Sequence, residues 1–297
     1  KMETQIDLKE EIRRLSIETK FSLLLLEKDY HLTRILHKIS EKSIKDLVFK
    51  GGTCLNKCYL GFYRLSEDLD FVFNQDVKGL SKAQIKKILN ELKRKIFEVL
   101  DGLGFETNKE LGKGWKMLTS KEEPKIAGLE VIANYNSLMN DSLQKIKLEI
   151  SFRKKLINPT KTKPIHHEFI DLLGEPILKE DVQIEVIDLS ENFAEKFRAL
   201  VTRKNIAIRD IYDIYFILKN NILKISKEII DLILIKINEN KKEKFTKEDL
   251  IKFIGDLESK LSYLNEKEIS SMLKSDEKID VKDMVQVIVN GFRTGNQ

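Results

Sequence analysis

Cysteine is nearly absent from this 297-residue sequence: Cys54 and Cys58 are the only two. Two thiols cannot build a disulfide framework, and a structural zinc site needs more ligands than this. Their spacing sets both on one face of a helix, where small apolar residues pack well. A reduced, cytoplasmic protein is expected. Histidine is scarce too, and His31, His37, His166 and His167 show no metal-ligand spacing. Long apolar runs are missing: residues 23–26, all leucine, are far too few to span a bilayer, and no N-terminal stretch reads as a signal peptide. The Gly-Lys-Ser/Thr phosphate loop is absent, which argues against a P-loop ATPase. No internal repeat occurs. The excess of positive charge is small, at +5, and does not by itself point to nucleic acid.

What is present concentrates between residues 47 and 73. A short apolar strand, Leu47-Val48-Phe49, runs into Lys50-Gly51-Gly52-Thr53. A helix is expected next, and then Arg64-Leu65-Ser66-Glu67-Asp68-Leu69-Asp70-Phe71-Val72-Phe73. Side chains alternate along a strand, so Leu69, Phe71 and Phe73 face a core while Asp68 and Asp70 face away. Two residues cover about 6.6 Å of strand, so both carboxylates can reach one hydrated magnesium site or a pair roughly 3.5–4 Å apart. Backbone N–H groups at Gly51 and Gly52 suit triphosphate oxygens, and Thr53 can add a hydroxyl. Lys57 and Ser66 complete the nucleotide-binding candidates on this segment. The run 146–152 alternates as well: Ile146, Leu148, Ile150 and Phe152 point inward, and Glu149 takes the polar face as a third carboxylate, ligand or base.

The chain is long enough for two subdomains, and its 41% hydrophobic content can bury a sizeable core. Residues 7–44 read as helical, and 81–100 as an amphipathic helix with Ser81 as N-cap and Gly102 as stop. Strand character marks 126–135 and 182–187, and 158–175 reads as an extended connection. From Ser190 the pattern is helical only: one helix carries Phe193 and Phe197, a second covers 209–218, and several more fill 225–292. The expected boundary divides a core, 1–188, from a helical C-terminal subdomain, 189–297. Between 141 and 164 lie Lys145, Lys147, Arg153, Lys154, Lys155, Lys161 and Lys163, a basic strip that fits a phosphate-rich partner. Lys196, beside the Phe193/Phe197 stripe, can serve phosphates as a point charge. Arg209 and Asp213 are four apart and can pair, while Asp210 and Asp213 share a helix face; alone, RDIYD reads first as a helix-surface charge cluster.

The order of these features resembles the AbiEii/AbiGii toxin family of nucleotidyltransferases, the toxin halves of bacterial type IV toxin–antitoxin, or abortive-infection, systems. The likeness rests on Lys50-Gly51-Gly52-Thr53, Arg64 to Phe71, Glu149, Ala194-Glu195-Lys196 and Arg209-Asp210-Ile211-Tyr212-Asp213, with Glu27-Lys28-Asp29-Tyr30-His31-Leu32 before them. It implies an α+β, polymerase-β-like core, a mixed sheet flanked by helices, followed by a helical C-terminal subdomain. It also implies catalytic roles for Asp68, Asp70, Glu149, Lys196 and Asp210, and metal ligation by Asp68, Asp70 and Glu149. Nucleotide contacts fall to Gly51, Gly52, Thr53, Lys57, Ser66, Lys196, Arg209 and Asp213. Mg2+ or Mn2+ is the implied cofactor and an NTP the substrate. An RNA, by family analogy the tRNA 3′ end, is the implied acceptor, with growth inhibition and phage defence as the outcome. The cognate antitoxin is expected to act without a stable complex. Two other readings stand beside this one: a nucleotide-binding regulator without turnover, and a transferase acting on a protein or a small molecule. A sugar-nucleotide glycosyltransferase would explain Asp-x-Asp but leaves Gly-Gly-Thr and RDIYD without a role.

Overall fold

The computed structural model describes residues 2–77, 79–120, 126–152, 156–171, 173–239, 243–261 and 272–294. Two compact units emerge: Lys1–Ile187 with Met272–Ser275, and Asp188–Ser271 with Asp276–Gln297.

The first unit is built on one mixed sheet. Helices α1 (Met2–Thr19) and α2 (Leu23–Glu41) come first. The single helical stretch expected over 7–44 is broken because Lys20 takes φ +64° and Ser22 caps α2, accepting from Leu25 N. Strand β1 (Leu47–Lys50) leads into α3 (Gly51–Cys54) and a π-helical turn, Leu55–Leu60. Then follow β2 (Asp68–Phe73), α4 (Lys82–Gly102), β3 (Glu106–Thr107), β4 (Trp115–Thr119), β5 (Ile126–Asn136), β6 (Leu143–Ser151), β7 (Lys161–Pro164) and β8 (Gln183–Val186). Helix α4 opens with a full capping box between Ser81 and Gln84.

The strand order is β3-β5-β6-β2-β1-β8-β7, with β4 also pairing β5. Pairs β2–β6 and β1–β8 are parallel and the others antiparallel. Phe49, Leu69, Phe71, Leu148, Ile150, Leu129 and Val131 share one face, packed in a common core with Leu32, Ile35 and Leu36 of α2 and Ile85, Leu89 and Ile96 of α4. Full burial of each such side chain contributes roughly 1.5–3 kcal/mol, which fixes the register of β2 and turns its aspartates outward. Segment Met272–Ser275 also belongs here: Met272 O accepts from Leu65 N at 2.9 Å, and Ser275 N donates to Lys20 O at 2.8 Å.

The second unit is helical: α5 (Leu189–Thr202), α6 (Ile208–Lys219), α7 (Lys227–Asn238), α8 (Lys247–Gly255), α9 (Leu257–Leu261) and α10 (Val281–Thr294). Helix α5 begins at Leu189, one residue before the expected start, with Asp188 as its cap. Phe197 meets Phe193 and Phe292 edge-on, with ring centroids 5.2 and 5.3 Å apart. Lys236, 2% exposed, gathers Glu191 at 2.6 Å, Glu239 at 3.1 Å and Glu195 at 3.3 Å. Residues 262–271, within the expected helical tail, lie outside the described residues.

Candidate active site

Strand β1 runs directly into the turn that begins α3. Gly51 sits there at φ +80°, a conformation that strains any L-residue. It also closes on β2: a Cβ at position 51 would stand 2.6 Å from Asp70 Oδ2. Glycine is what lets this turn lie against the Asp70 carboxylate. Gly52 makes a matching approach, since its Cβ would lie 2.7 Å from Arg64 Nη2 and 3.3 Å from Ser66 Oγ. Arg64 is 1% exposed, and its Nη1 donates to Leu65 O at 2.9 Å. The Asn56 amide donates to Arg64 O at 2.6 Å and to Gly61 O at 3.1 Å. A buried cation is thereby held against the glycine turn, and Ser66 shares its place.

Register builds the rest. Lys50 of β1 is opposite Asp70, Asp70 is opposite Glu149 of β6, Glu149 is opposite Glu130 of β5, and Glu130 is opposite Lys116 of β4. Laddered partners project to the same side of a sheet, with strands about 5 Å apart. The row across the open face therefore holds three carboxylates with a lysine at each end. Lys116 Nζ is 2.9 Å from Glu130 Oε1. Two residues along and on the same face, Asp68 is opposite Lys147, whose Nζ lies 3.3 Å from Asp68 Oδ2. Partial burial works against the Lys147 charge, but Asp68, Asp70 and Glu149 outweigh it and hold the ammonium above its usual pKa.

The structure thus brings Gly51, Asp68, Asp70 and Glu149 to one face, with Gly52 and Ser66 beside them. Thr53 and Lys57 are placed elsewhere. Thr53 is 1% exposed, and its hydroxyl donates to Asp68 O, so it ties α3 to β2 instead of facing phosphate. Lys57 is wholly buried and ion-paired with Asp29 at 2.5 Å, which withdraws its ammonium from the polar face. Burial pushes the Asp29 carboxyl up against the opposing pull of Lys57. Glu130, 8% exposed, is the member that sequence reasoning missed; the alternation Leu129-Glu130-Val131 carried the signal.

The basic strip is not one patch. Lys145 and Lys147 stand on β6, whereas Lys161 and Lys163 stand on β7, four strand steps or about 19 Å across the sheet. Through Val186 and Phe49, the β7–β8 register also puts the latter pair on the helix-covered side. Arg153, Lys154 and Lys155 lie outside the described residues.

In the second unit, Lys196 reaches Asp213 Oδ2 at 2.8 Å and Asp210 Oδ1 at 2.9 Å, and Arg203 takes the other oxygen of Asp210. Asp210 and Asp213 are 2% and 0% exposed, so RDIYD is an internal ion cluster and not a surface one. Asp213 pairs with Lys196 from α5, not with Arg209; Arg209 is half-buried and forms no ion pair among the described residues.

The oxygen donors suit a hard cation. Among the described residues no three His, Cys, Asp or Glu side chains gather closely enough to hold a metal ion by themselves. Magnesium seldom uses such a cage: it binds through one or two carboxylates plus substrate phosphates and water, which Asp68 and Asp70 can satisfy.

A model of the family described as "Nucleotidyl transferase AbiEii toxin, Type IV TA system" matches residues 34–287. Among solved structures, the MenT4 nucleotidyltransferase toxin of Mycobacterium tuberculosis is similar at TM-score 0.64 and 18% identity, over 97% of this chain and 89% of that one. JHP933 of Helicobacter pylori is similar at TM-score 0.52 and 17% identity, covering 92% of each chain. No curated protein matches in sequence. No helix among the described residues is long and apolar enough to cross a membrane. With the match spanning most of its length and the fold shared at low identity, the chain belongs to the AbiEii family of nucleotidyltransferase toxins of type IV toxin–antitoxin systems.

Proposed function

We propose that the protein transfers a nucleoside monophosphate from an NTP to the terminal ribose hydroxyl of an RNA, with the tRNA 3′ end as acceptor, and so arrests growth. The observation that carries this reading is the juxtaposition of Gly51, Asp70 and Glu149: a turn without side chains lies against one carboxylate, which is itself in register with a second. Phosphoryl transfer asks a protein mainly for positioning and charge neutralisation, which such a face provides.

Asp68 and Asp70 would hold Mg2+ or Mn2+, which when bound supplies charge neutralisation at the triphosphate. The backbone of Gly51 and Gly52 seats phosphate oxygens, with the Arg64 charge beneath and Ser66 alongside. Glu149 takes the proton of the acceptor hydroxyl. The hydroxyl oxygen then bonds to the α-phosphorus as the α–β bridging bond breaks, and pyrophosphate leaves. In the second unit, Lys196, Arg209, Asp210 and Asp213 form the other part of the reading, assigned to nucleotide by family resemblance. The cognate antitoxin acts without a lasting complex, and the cellular outcome is defence against phage.

The test combines the protein, Mg2+, α-labelled NTPs and total tRNA. A labelled RNA band that vanishes with Asp70→Ala is the expected result. Label on a polypeptide would reassign the acceptor, and nucleotide binding with no incorporation would remove the transferase assignment.

A further inference from the structure

Among the described lysines paired with aspartates, Lys57, Lys147 and Lys196 belong to the groups described above, and they differ in one respect. Lys57 is fully buried, and the Lys196 side chain is 11% exposed, so each is fixed by its surroundings. The Lys147 side chain is 37% exposed and its partner Asp68 28%, with Nζ at 3.3 Å from Oδ2. On its other side Lys147 is in register with Ile132 of β5, an apolar residue, so the ammonium leans toward β2 and away from β5. It stands on the same face as Asp70 and Glu149, where three like charges would otherwise repel one another.

We propose that Lys147 is a displaceable counter-ion: in the resting protein its ammonium neutralises the Asp68 side of the platform, and it yields that place when a divalent cation enters. The released side chain then turns to the phosphates of the incoming nucleotide. This rests on the nucleotidyltransferase reading above and adds a positioning residue to it. The chemistry favours lysine for the task. A compact charge on a flexible four-carbon stem can move by several ångströms without disturbing Leu148 and Ile146, which anchor the strand beneath it. A partly exposed ion pair of this kind is weak enough to be exchanged.

Two consequences of opposite sign follow for Lys147→Gln. The divalent ion alone no longer competes with an ammonium and binds more tightly, roughly fivefold. A nucleotide added at saturating metal loses a cationic contact and binds more weakly, by a similar factor. Calorimetry on the full chain measures both, with Mn2+ first and then an α,β-methylene NTP. Lys147→Arg, which keeps the charge, restores values near wild type, and thermal melting verifies the fold of each variant. Should Lys147→Gln melt early, Lys147→Met provides the same comparison with an apolar stem. Unchanged or weaker Mn2+ binding in the neutral variant overturns the counter-ion role, as does weaker nucleotide binding with no change for the metal. Wild-type protein that binds both ligands while the variant shifts neither leaves the transferase reading standing and this inference refuted. Wild-type protein that binds neither ligand removes both.

Discussion

Gly51 and Asp70 share a space that holds only one side chain, for a Cβ on Gly51 would come within 2.6 Å of the Asp70 carboxylate oxygen. Gly51→Ala must both hold alanine at φ +80° and push Asp70 aside. We expect a loss of about 1–3 kcal/mol in urea unfolding and at least a tenfold fall in nucleotide incorporation. Gly79→Ala is the control. Gly79 has φ +89° but nothing within 4 Å of its missing Cβ, so the backbone penalty should appear without the loss of activity.

The Asp29–Lys57 pair calls for a different experiment. Lys57→Met leaves a carboxylate in a dry interior, and about 3–5 kcal/mol of stability should be lost. Adding Asp29→Leu should recover most of it, because an apolar pair of similar volume replaces the ions. Guanidinium denaturation of the two singles and the double gives the cycle. A double variant no more stable than Lys57→Met would mean that the pair itself, not the unpaired charge, sustains the fold.

Stability should also fall in mild acid. His37 is pushed down to about 4 by burial first and then by the charges of His167 and Lys57. Below pH 6.5 the unfolded chain binds a proton that the folded one refuses. The contribution is therefore complete above 6.5 and is lost as pH drops towards 4, by about 3 kcal/mol at most. His31, pushed down to about 3 by burial and Arg34, adds to the same slope. Melting temperatures from pH 7 to 4 should decline less steeply in His37→Phe.

Lys196 separates structure from function in the helical unit. Lys196→Met removes a cation from two buried carboxylates, and about 3 kcal/mol of unfolding free energy should go with it. Pairing it with Asp213→Leu should restore much of the stability. Nucleotide incorporation should stay low in that double variant. Recovery of both would make the cluster a packing device only.

Much of the first unit was readable from periodicity. Phe71 and Asp70 are neighbours with opposite fates, and a period of two, with a core on one side, assigns each its face. The same rule located Glu149. Other residues escaped for identifiable reasons. Lys57 looked available because nothing local marks its partner: Asp29 arrives from a different helix, 28 positions earlier. Thr53 follows the glycine pair in sequence, but the tight turn rotates its hydroxyl onto the carbonyl of Asp68. Strand β7, Lys161-Thr162-Lys163-Pro164, is a sheet edge without apolar alternation, so it read as an extended connection. RDIYD carried the right residue types for either a surface or an interior, and only the tertiary packing of α5 against α6 decides between them.

The tetrapeptide Met272–Ser275 has a consequence for how the molecule is made. Its carbonyl at 272 completes the hydrogen bonding of Leu65, the residue next to the arginine beneath the glycine turn, and its other end secures Lys20. No single cut after Ile187 can excise an intact first unit, because four of its residues are encoded within the span of the helical one. During synthesis Leu65, beside the Arg64 that packs against Gly52, must wait for more than two hundred further residues before its backbone bond to Met272 closes. A fragment ending at 187 should consequently emerge with Leu65 N–H unanswered and the Gly52–Arg64 packing loosened.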